Sequence, residues 1–241
     1  MARPGEFDQP IGDPVEPIFK GETAVLIATG PSINEEQVAI VKQAHEAGKC
    51  RTLTINNSYQ IAPFTNAHLT VGDSWYQHYW PLDEVLRTMP AHKYTWYLDI
   101  AKQYNIKYIK AVVKDGISTD PRIIHINHGS GPMMVNLAYH YGIRRLLLIG
   151  HDMRFATNYD GRRQKVGSTP RHYFGEYPKQ MQHWPSVKIG LSKPGVIDGL
   201  IEVYNKMGPQ LKSLGMEVIN CTPASSLPTF PMSDLRKELN V

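Results

Sequence analysis

Residues 122–153, RIIHINHGSGPMMVNLAYHYGIRRLLLIGHDM, leave this chain little freedom in what it can become. An apolar run at 122–127 meets a Gly-Ser-Gly-Pro corner, and an apolar helical pattern at 132–141 stops at Gly142. A second apolar run, 145–150, follows. Continuous apolar strands of this kind are buried on both faces, which is the condition of parallel strands covered by helices. Pro132 suits a first helical turn, where its missing N–H is no loss, and Ser130 offers a cap to the amides behind it. The segment therefore predicts a βαβ unit, and with it a parallel sheet.

The same grammar appears near the start. TAVLIATG (23–30) reads as a buried strand, NEEQVAIVKQAHEAG (34–48) as a helix ended by Gly48, and CRTLTINN (50–57) as the next strand. AHLTVGD (67–73) is a third strand candidate, running into the aromatic SWYQHYW. Residues 81–120 mix strand and helix signals. A helix over about 196–213 and a short strand, MEVINC (216–221), close the pattern. Residues 1–22 are Pro-rich and read as an extended lead-in, with one domain over 23–241. Within it, 153–195 loses periodicity and carries Arg, Gly, Tyr, His and Trp, the composition of an irregular lid. The expected architecture is α/β, a Rossmann-like doubly wound and mostly parallel sheet with that lid.

In such sheets, ligands bind beyond the carboxyl ends of the strands at the switch point. Polar residues collect at five predicted strand ends: Gly30, Pro31 and Ser32; Asn56 and Asn57; Asp73; Gly129, Ser130 and Gly131; and His151 with Asp152. A glycine there lets backbone approach a ligand, and a helix start offers N–H groups and a positive dipole end to phosphate. Gly-Pro-Ser could equally be a capped strand-to-helix turn. The P-loop pattern G-x-x-x-x-G-K-[ST] and the dinucleotide pattern G-x-G-x-x-G are both missing, which argues against a P-loop kinase and a dinucleotide oxidoreductase.

Charge narrows the ligand further. The chain has a formal net charge of +4, mild enough to favour an anionic small molecule over dedicated nucleic-acid binding. Cys50 and Cys221, the 2 cysteines, lack metal or redox spacing and read as reduced core residues. His125, His128 and His151 show no familiar ligand spacing, so no metal site is assigned. No apolar stretch approaches a membrane span, and the N-terminus has no signal-peptide core, so a cytoplasmic protein that does not engage a membrane is expected.

The segments IATGPSIN, INNSY, NHGSGPMMVNLAYHYGIRRLLLIGHDM and HYFGEYP occur in an order that resembles the single-domain bacterial sialyltransferases acting on CMP-sialic acid. It also resembles the related Maf-type flagellin glycosyltransferases and 6-hydroxymethylpterin diphosphokinase-like proteins, a superfamily with many phage members. The resemblance spans about residues 23–230. It implies a nucleotide-dependent transferase, foremost a glycosyltransferase moving a sugar from a nucleotide-sugar to an acceptor hydroxyl. Gly30, Pro31, Ser32, Asn56, Asn57, Ser130 and Gly131 would then bind the nucleotide, and Asp152 would sit beside its ribose or phosphates. Gly129 and Asp73 join them from their strand-end positions.

Two departures stand out. Ala28 replaces the first Gly of Gly-x-Gly-Pro-Ser, and the lid motif His-Tyr-x-Gly-His becomes His172-Tyr173-Phe174-Gly175-Glu176. The general base is therefore His172 or Glu176, with Tyr173 beside them as a further catalytic candidate. The alternatives are a pterin-type diphosphokinase, where Asp73 and Asp152 would hold Mg²⁺, and a nucleotide-binding module without catalysis. Only the diphosphokinase needs a metal cofactor. The acceptor is left open among a glycan, a small molecule and modified DNA, and a homo-oligomer is left open as well.

Overall fold

The structure, a computed structural model, describes residues 10–126, 129–154, 172–175, 177–178, 181 and 196–241. Seven strands form a parallel sheet: β1 (Thr23–Ile27), β2 (Arg51–Ile55), β3 (Ala67–Leu69), β4 (His92–Thr95), β5 (Lys107–Tyr108), β8 (Arg145–Ile149) and β9 (Glu217–Asn220). Their order is β5-β4-β3-β2-β1-β8-β9. The chain winds outward from β1 through β5, then returns to lay β8 against the other side of β1. The switch point is therefore between β1 and β8. This is the expected Rossmann-like α/β fold.

Strand alternation decides which helix covers which face. Ala24 and Leu26 of β1, with Leu146 and Leu148 of β8, pack under helices α5 (Ser130–His140) and α6 (Val196–Ser213). Val25 and Ile27, with Leu147 and Ile149, face α1 (Glu35–Glu46) and α7 (Leu235–Leu239). All eight strand side chains are fully buried, each contributing about 1.5–3 kcal/mol when aliphatic and large. Three further helices, α2 (Asp73–Leu82), α3 (Glu84–Thr88) and α4 (Leu98–Tyr104), enclose an aromatic cluster of Tyr59, Trp75, Tyr76 and Tyr79. The SWYQHYW stretch is thus helical, with Trp75 and Tyr79 in a core and Trp80 stacked on Tyr104 at 5.1 Å.

One strand differs from expectation. The run before the second corner, β7 (Ile123–Ile126), pairs with β6 (Lys110–Val113) in a separate two-stranded parallel sheet, outside the main one. The reason lies in α5, which is apolar nearly all round and so must be covered on more than one side. It packs on β1 and β2 and also on β7. Asn136 pins the small sheet to it, its Oδ1 accepting from the amides of Ser118 (2.9 Å) and His125 (3.0 Å). The lead-in also joins the fold earlier than expected: Val15 and Phe19 are buried in the core, and the Phe19 amide donates to the Tyr141 carbonyl at 2.9 Å. Cys50 and Cys221 are buried free thiols, pushed up to about 12 by burial.

Candidate functional site

The ends of β2, β1 and β8 lie side by side, so with strands about 4.8 Å apart they span about 10 Å. Each predicted corner has its place there. Beyond β1, the backbone amide of Gly30 donates to the Gly150 carbonyl at 3.0 Å. A Cβ at Gly30 would stand 1.9 Å from Asp152 Oδ2 and 2.4 Å from the Gly150 oxygen. Only glycine fits, and what it admits is the Asp152 carboxylate. Ser32 Oγ donates to that same Oδ2 at 2.9 Å. Burial pushes the Asp152 carboxyl above its ordinary value, and the Ser32 hydrogen bonds pull part of that back.

The first corner does not open directly into a helix. Pro31 and Ser32 form a turn, Ile33 is buried, Asn34 is the N-cap, and α1 starts only at Glu35. Asn34 Oδ1 accepts from the Gln37 amide at 2.9 Å, while Gln37 Oε1 accepts from the Asn34 amide at 3.3 Å. That reciprocal cap satisfies the amides of Asn34 and Gln37, and Glu35 and Glu36 place negative charge on the same turn. Two of the amides expected to lie open behind Gly-Pro-Ser are therefore engaged within the helix start itself.

The second corner is built differently. Helix α5 begins at Ser130 directly after Gly129, without a side-chain cap and with no acidic residue in its first turn. Ser130 does not cap it. Its hydroxyl donates instead to Asn56 Oδ1 at 2.9 Å, and the same oxygen accepts from Thr70 Oγ1 at 2.8 Å. Gly131 packs where a Cβ would stand 2.5 Å from Tyr204 Oη and 3.5 Å from His151 Nε2. His151 is fully enclosed, lowered to about 4 by desolvation, and its Nδ1 meets the Ile149 carbonyl at 3.2 Å. The two corners thus flank one dipeptide, Gly131 against His151 and Gly30 against Asp152.

Three non-glycine residues with left-handed backbone gather at these strand ends: Asn56 (φ 50), Met153 (φ 47) and Ala224 (φ 50). Among the described residues, the other two, Asn105 and Asn240, simply end helices. Left-handed backbone of this kind costs up to about 1–2 kcal/mol for a residue other than glycine, and less for Asn. The segment after β9 braces these strand ends: the His151 amide donates to Thr222 Oγ1 (2.9 Å), Ser225 Oγ to the His151 carbonyl (2.6 Å), and the Ser226 amide to the Asp152 carbonyl (2.9 Å).

The turn His172–Gly175 is fastened to the same edge. The Tyr173 amide donates to the Thr29 carbonyl at 3.1 Å, the Tyr173 hydroxyl to the Asn57 carbonyl at 2.7 Å, and His172 Nδ1 lies 3.0 Å from Thr29 Oγ1. Tyr173 is thereby a strut, its hydroxyl pushed up by burial. Asn57 is a post: its side chain accepts from Trp75 Nε1 at 2.7 Å and donates to the Tyr79 hydroxyl at 2.8 Å. Asp73 turns back on its own helix start, Oδ1 accepting from the Ser74 amide at 2.6 Å. Glu176, and with it most of the 153–195 segment, lies outside the described residues. Among the described residues, no three His, Cys, Asp or Glu side chains group as a metal would require, and no helix is long and apolar enough to cross a membrane.

The fold is similar to that of a Maf glycosyltransferase. The solved Maf glycosyltransferase from Magnetospirillum magneticum AMB-1 superposes with a TM-score of 0.52 over 90% of this chain, at 13% identity. The match covers 34% of that protein, so this chain spans about a third of its length, and at such identity the likeness carries the fold alone. No family model and no curated protein matches the chain.

Thr222, Ser225 and Ser226 follow the last expected strand, where they could touch a nucleotide or equally cap a turn, whereas Thr29, Thr70 and Tyr204 were not legible as site residues. Of these three, Thr29 had a signal, standing directly before Gly30-Pro31-Ser32; Thr70 and Tyr204 reach the site from other parts of the chain.

Proposed function

We propose that this chain is a nucleotide-dependent transferase, and that its reaction moves a sugar from a nucleotide-sugar to an acceptor hydroxyl. The observation that carries this is the uncapped start of α5, whose Ser130 bonds to Asn56 beyond β2, at the same end of the sheet as His172, which meets Thr29 beyond β1. The amides opening α5, with the positive end of its dipole, suit the anionic phosphates of the donor and their charge on departure. The resemblance of the sequence motifs and the Maf-like fold support the same class of reaction.

Roles follow from chemistry. Ser130, Gly131 and Gly129 cradle phosphate, with Asn56 steering the Ser130 hydroxyl. Asp152, backed by Ser32 and admitted by Gly30 and Pro31, accepts hydrogen bonds from donor hydroxyls, because an ionised carboxylate beside phosphate would be repulsive. His172 takes the acceptor proton, and Glu176 is the second candidate for that task. As the acceptor oxygen bonds to the sugar carbon, the carbon–oxygen bond to phosphate breaks. The phosphate leaves with the electron pair, and the proton passes to the base.

A thermal-shift panel of CMP-, UDP- and GDP-linked sugars tests this, since a ligand at a hundred times its Kd stabilises the fold by about 2.7 kcal/mol. The expected result is a shift with one nucleotide class and slow donor hydrolysis that persists in EDTA. His172→Gln should keep the shift and lose the hydrolysis. Mg²⁺-dependent conversion of ATP to AMP would instead establish the diphosphokinase, and a shift with no turnover under any condition would leave a binding module.

A further inference from the structure

We infer that Tyr204 and His151 form a binding point for one hydroxyl group beside the start of α5, Tyr204 Oη donating to the hydroxyl oxygen and His151 Nε2 accepting the hydroxyl proton. The binding point stands whatever the chain catalyses. That a ligand supplies the hydroxyl, in place of water, rests on the reading of the α5 start as the nucleotide site.

Among the described residues, four buried side-chain polar atoms have no hydrogen-bond partner, and two of them, His151 Nε2 and Tyr204 Oη, face the same residue. A Cβ at Gly131, the second residue of α5, would stand 2.5 Å from Tyr204 Oη and 3.5 Å from His151 Nε2. The two atoms are therefore close enough for one oxygen, at hydrogen-bond lengths of about 3 Å, to reach both. His151 follows β8, and Tyr204 comes from the middle of α6. Both side chains are firmly mounted: Tyr204 is fully buried and His151 nearly so, their rings meet edge-on at 5.9 Å and 75°, and Tyr204 meets Phe230 edge-on at 5.8 Å. A buried polar atom without a partner is destabilising, so two at one place mark a position for a group that the protein does not itself supply.

The chemistry of the two atoms selects the group. The Ile149 carbonyl can only accept, so His151 Nδ1, 3.2 Å away, carries the ring proton, and Nε2 is left as a bare lone pair. The imidazole is neutral at ordinary pH because burial lowers it to about 4, and the Tyr204 phenol, pushed up by burial, keeps its proton. One side must therefore receive a hydrogen bond and the other must offer one. A hydroxyl, of water or of an alcohol, serves both with a single oxygen. A phosphate oxyanion would satisfy Tyr204 but set its charge against the Nε2 lone pair, and an ammonium would leave the phenol proton unpaired. The amides of the α5 start thus suit an anion, while the pair beside them suits a neutral hydroxyl. Pro209 lies inside α6 and lacks the amide that would bond the Asn205 carbonyl, so the turn carrying Tyr204 can shift enough to admit an oxygen.

The direct test is a crystal structure of the full chain, alone and with whichever of CMP, UDP and GDP binds. One oxygen within hydrogen-bond distance of both His151 Nε2 and Tyr204 Oη is expected in each. No oxygen between them, or Tyr204 Oη bonded directly to Nε2 in both crystals, would overturn the inference. Calorimetry then names the source of the oxygen. If the nucleotide supplies it, the 2′-deoxy or the 3′-deoxy form should bind about tenfold more weakly, Tyr204→Phe should weaken the ribonucleotide to a similar degree, and the two losses should not add. If water supplies it, both deoxy forms should bind the wild-type chain as the ribonucleotide does, with the oxygen unchanged between the two crystals. Should none of the three nucleotides bind, the reading of the α5 start fails, while the ligand-free crystal still decides this inference.

Discussion

The corner at Gly30-Pro31-Ser32 and the corner at Gly129-Ser130-Gly131 look alike in sequence, each a small-residue break between a buried strand and a helix, yet they present opposite chemistry. At the first, the capping box of Asn34 and Gln37, the acids Glu35 and Glu36, and the Asp152 carboxylate all oppose an anion. At the second, α5 opens without a cap or an acid. A glycine-rich corner therefore has no fixed function. What decides is the residue that its missing Cβ admits, and whether the helix behind it has already satisfied its own amides.

That contrast can be broken at its strongest point first. Gly30→Ala forces a Cβ against a carboxylate and a backbone carbonyl, neither of which can yield cheaply, so unfolding free energy should fall by about 3 kcal/mol or more in a denaturant titration. A fall of less than about 1 kcal/mol would mean that Asp152 does not occupy that space.

Acid should reveal the dipeptide between the corners. His151 is lowered to about 4 and His68 to about 3, in both cases chiefly by burial, with Lys93 adding to the effect at His68. The unfolded chain binds these protons near the ordinary value of 6.5 and the folded one does not. Stability from both groups is therefore complete above that value and drains as pH falls towards 4 and then 3, by roughly 3 kcal/mol for His151. Asp152, raised by burial, works in the opposite sense, its contribution weakening as pH rises through and above the usual carboxyl range. Melting temperature should thus drop between pH 6.5 and 4, and His151→Gln should flatten the slope; an unchanged slope would place His151 in a solvated site.

Gly131→Ala meets only the end of a side chain, Tyr204 Oη, so a smaller loss of about 1–3 kcal/mol is expected. Adding Tyr204→Phe removes the clashing oxygen and should recover most of it. The double variant being no more stable than Gly131→Ala would locate the clash elsewhere. The mildest case is Asn34→Ala, which removes the α1 cap for about 1 kcal/mol, or roughly 2–4 °C in a chain of this size, and should leave nucleotide affinity unchanged.

Much of the sheet was legible because its strands are continuous apolar runs and its helices carry Gly stops: β1, α1, β2, α5, β8 and α6 lie within a few residues of their expected bounds. Strand β7 misled because an apolar run announces burial without naming the partner, and only the all-round apolar surface of α5 hinted at a second cover. The site was legible as strand ends and much less so as contacts. Asn57 and Tyr173 carry the right chemistry but are engaged with Trp75, Tyr79 and a backbone carbonyl, pairings set by residues up to 116 positions away. Thr222 and Ser225 were legible as polar residues after the last strand but not as braces of His151, and Tyr204 arrives through α6, a convergence that periodicity does not encode.

The central claim, that the start of α5 and not the start of α1 receives the anionic part of the ligand, is open to one direct measurement. In an ¹⁵N-HSQC titration with CMP, UDP and GDP, saturable shifts should appear at the amides of Ser130 and Gly131, with those of Glu35, Glu36 and Gln37 unmoved. Shifts centred on residues 34–37, with residues 129–131 silent, would contradict it.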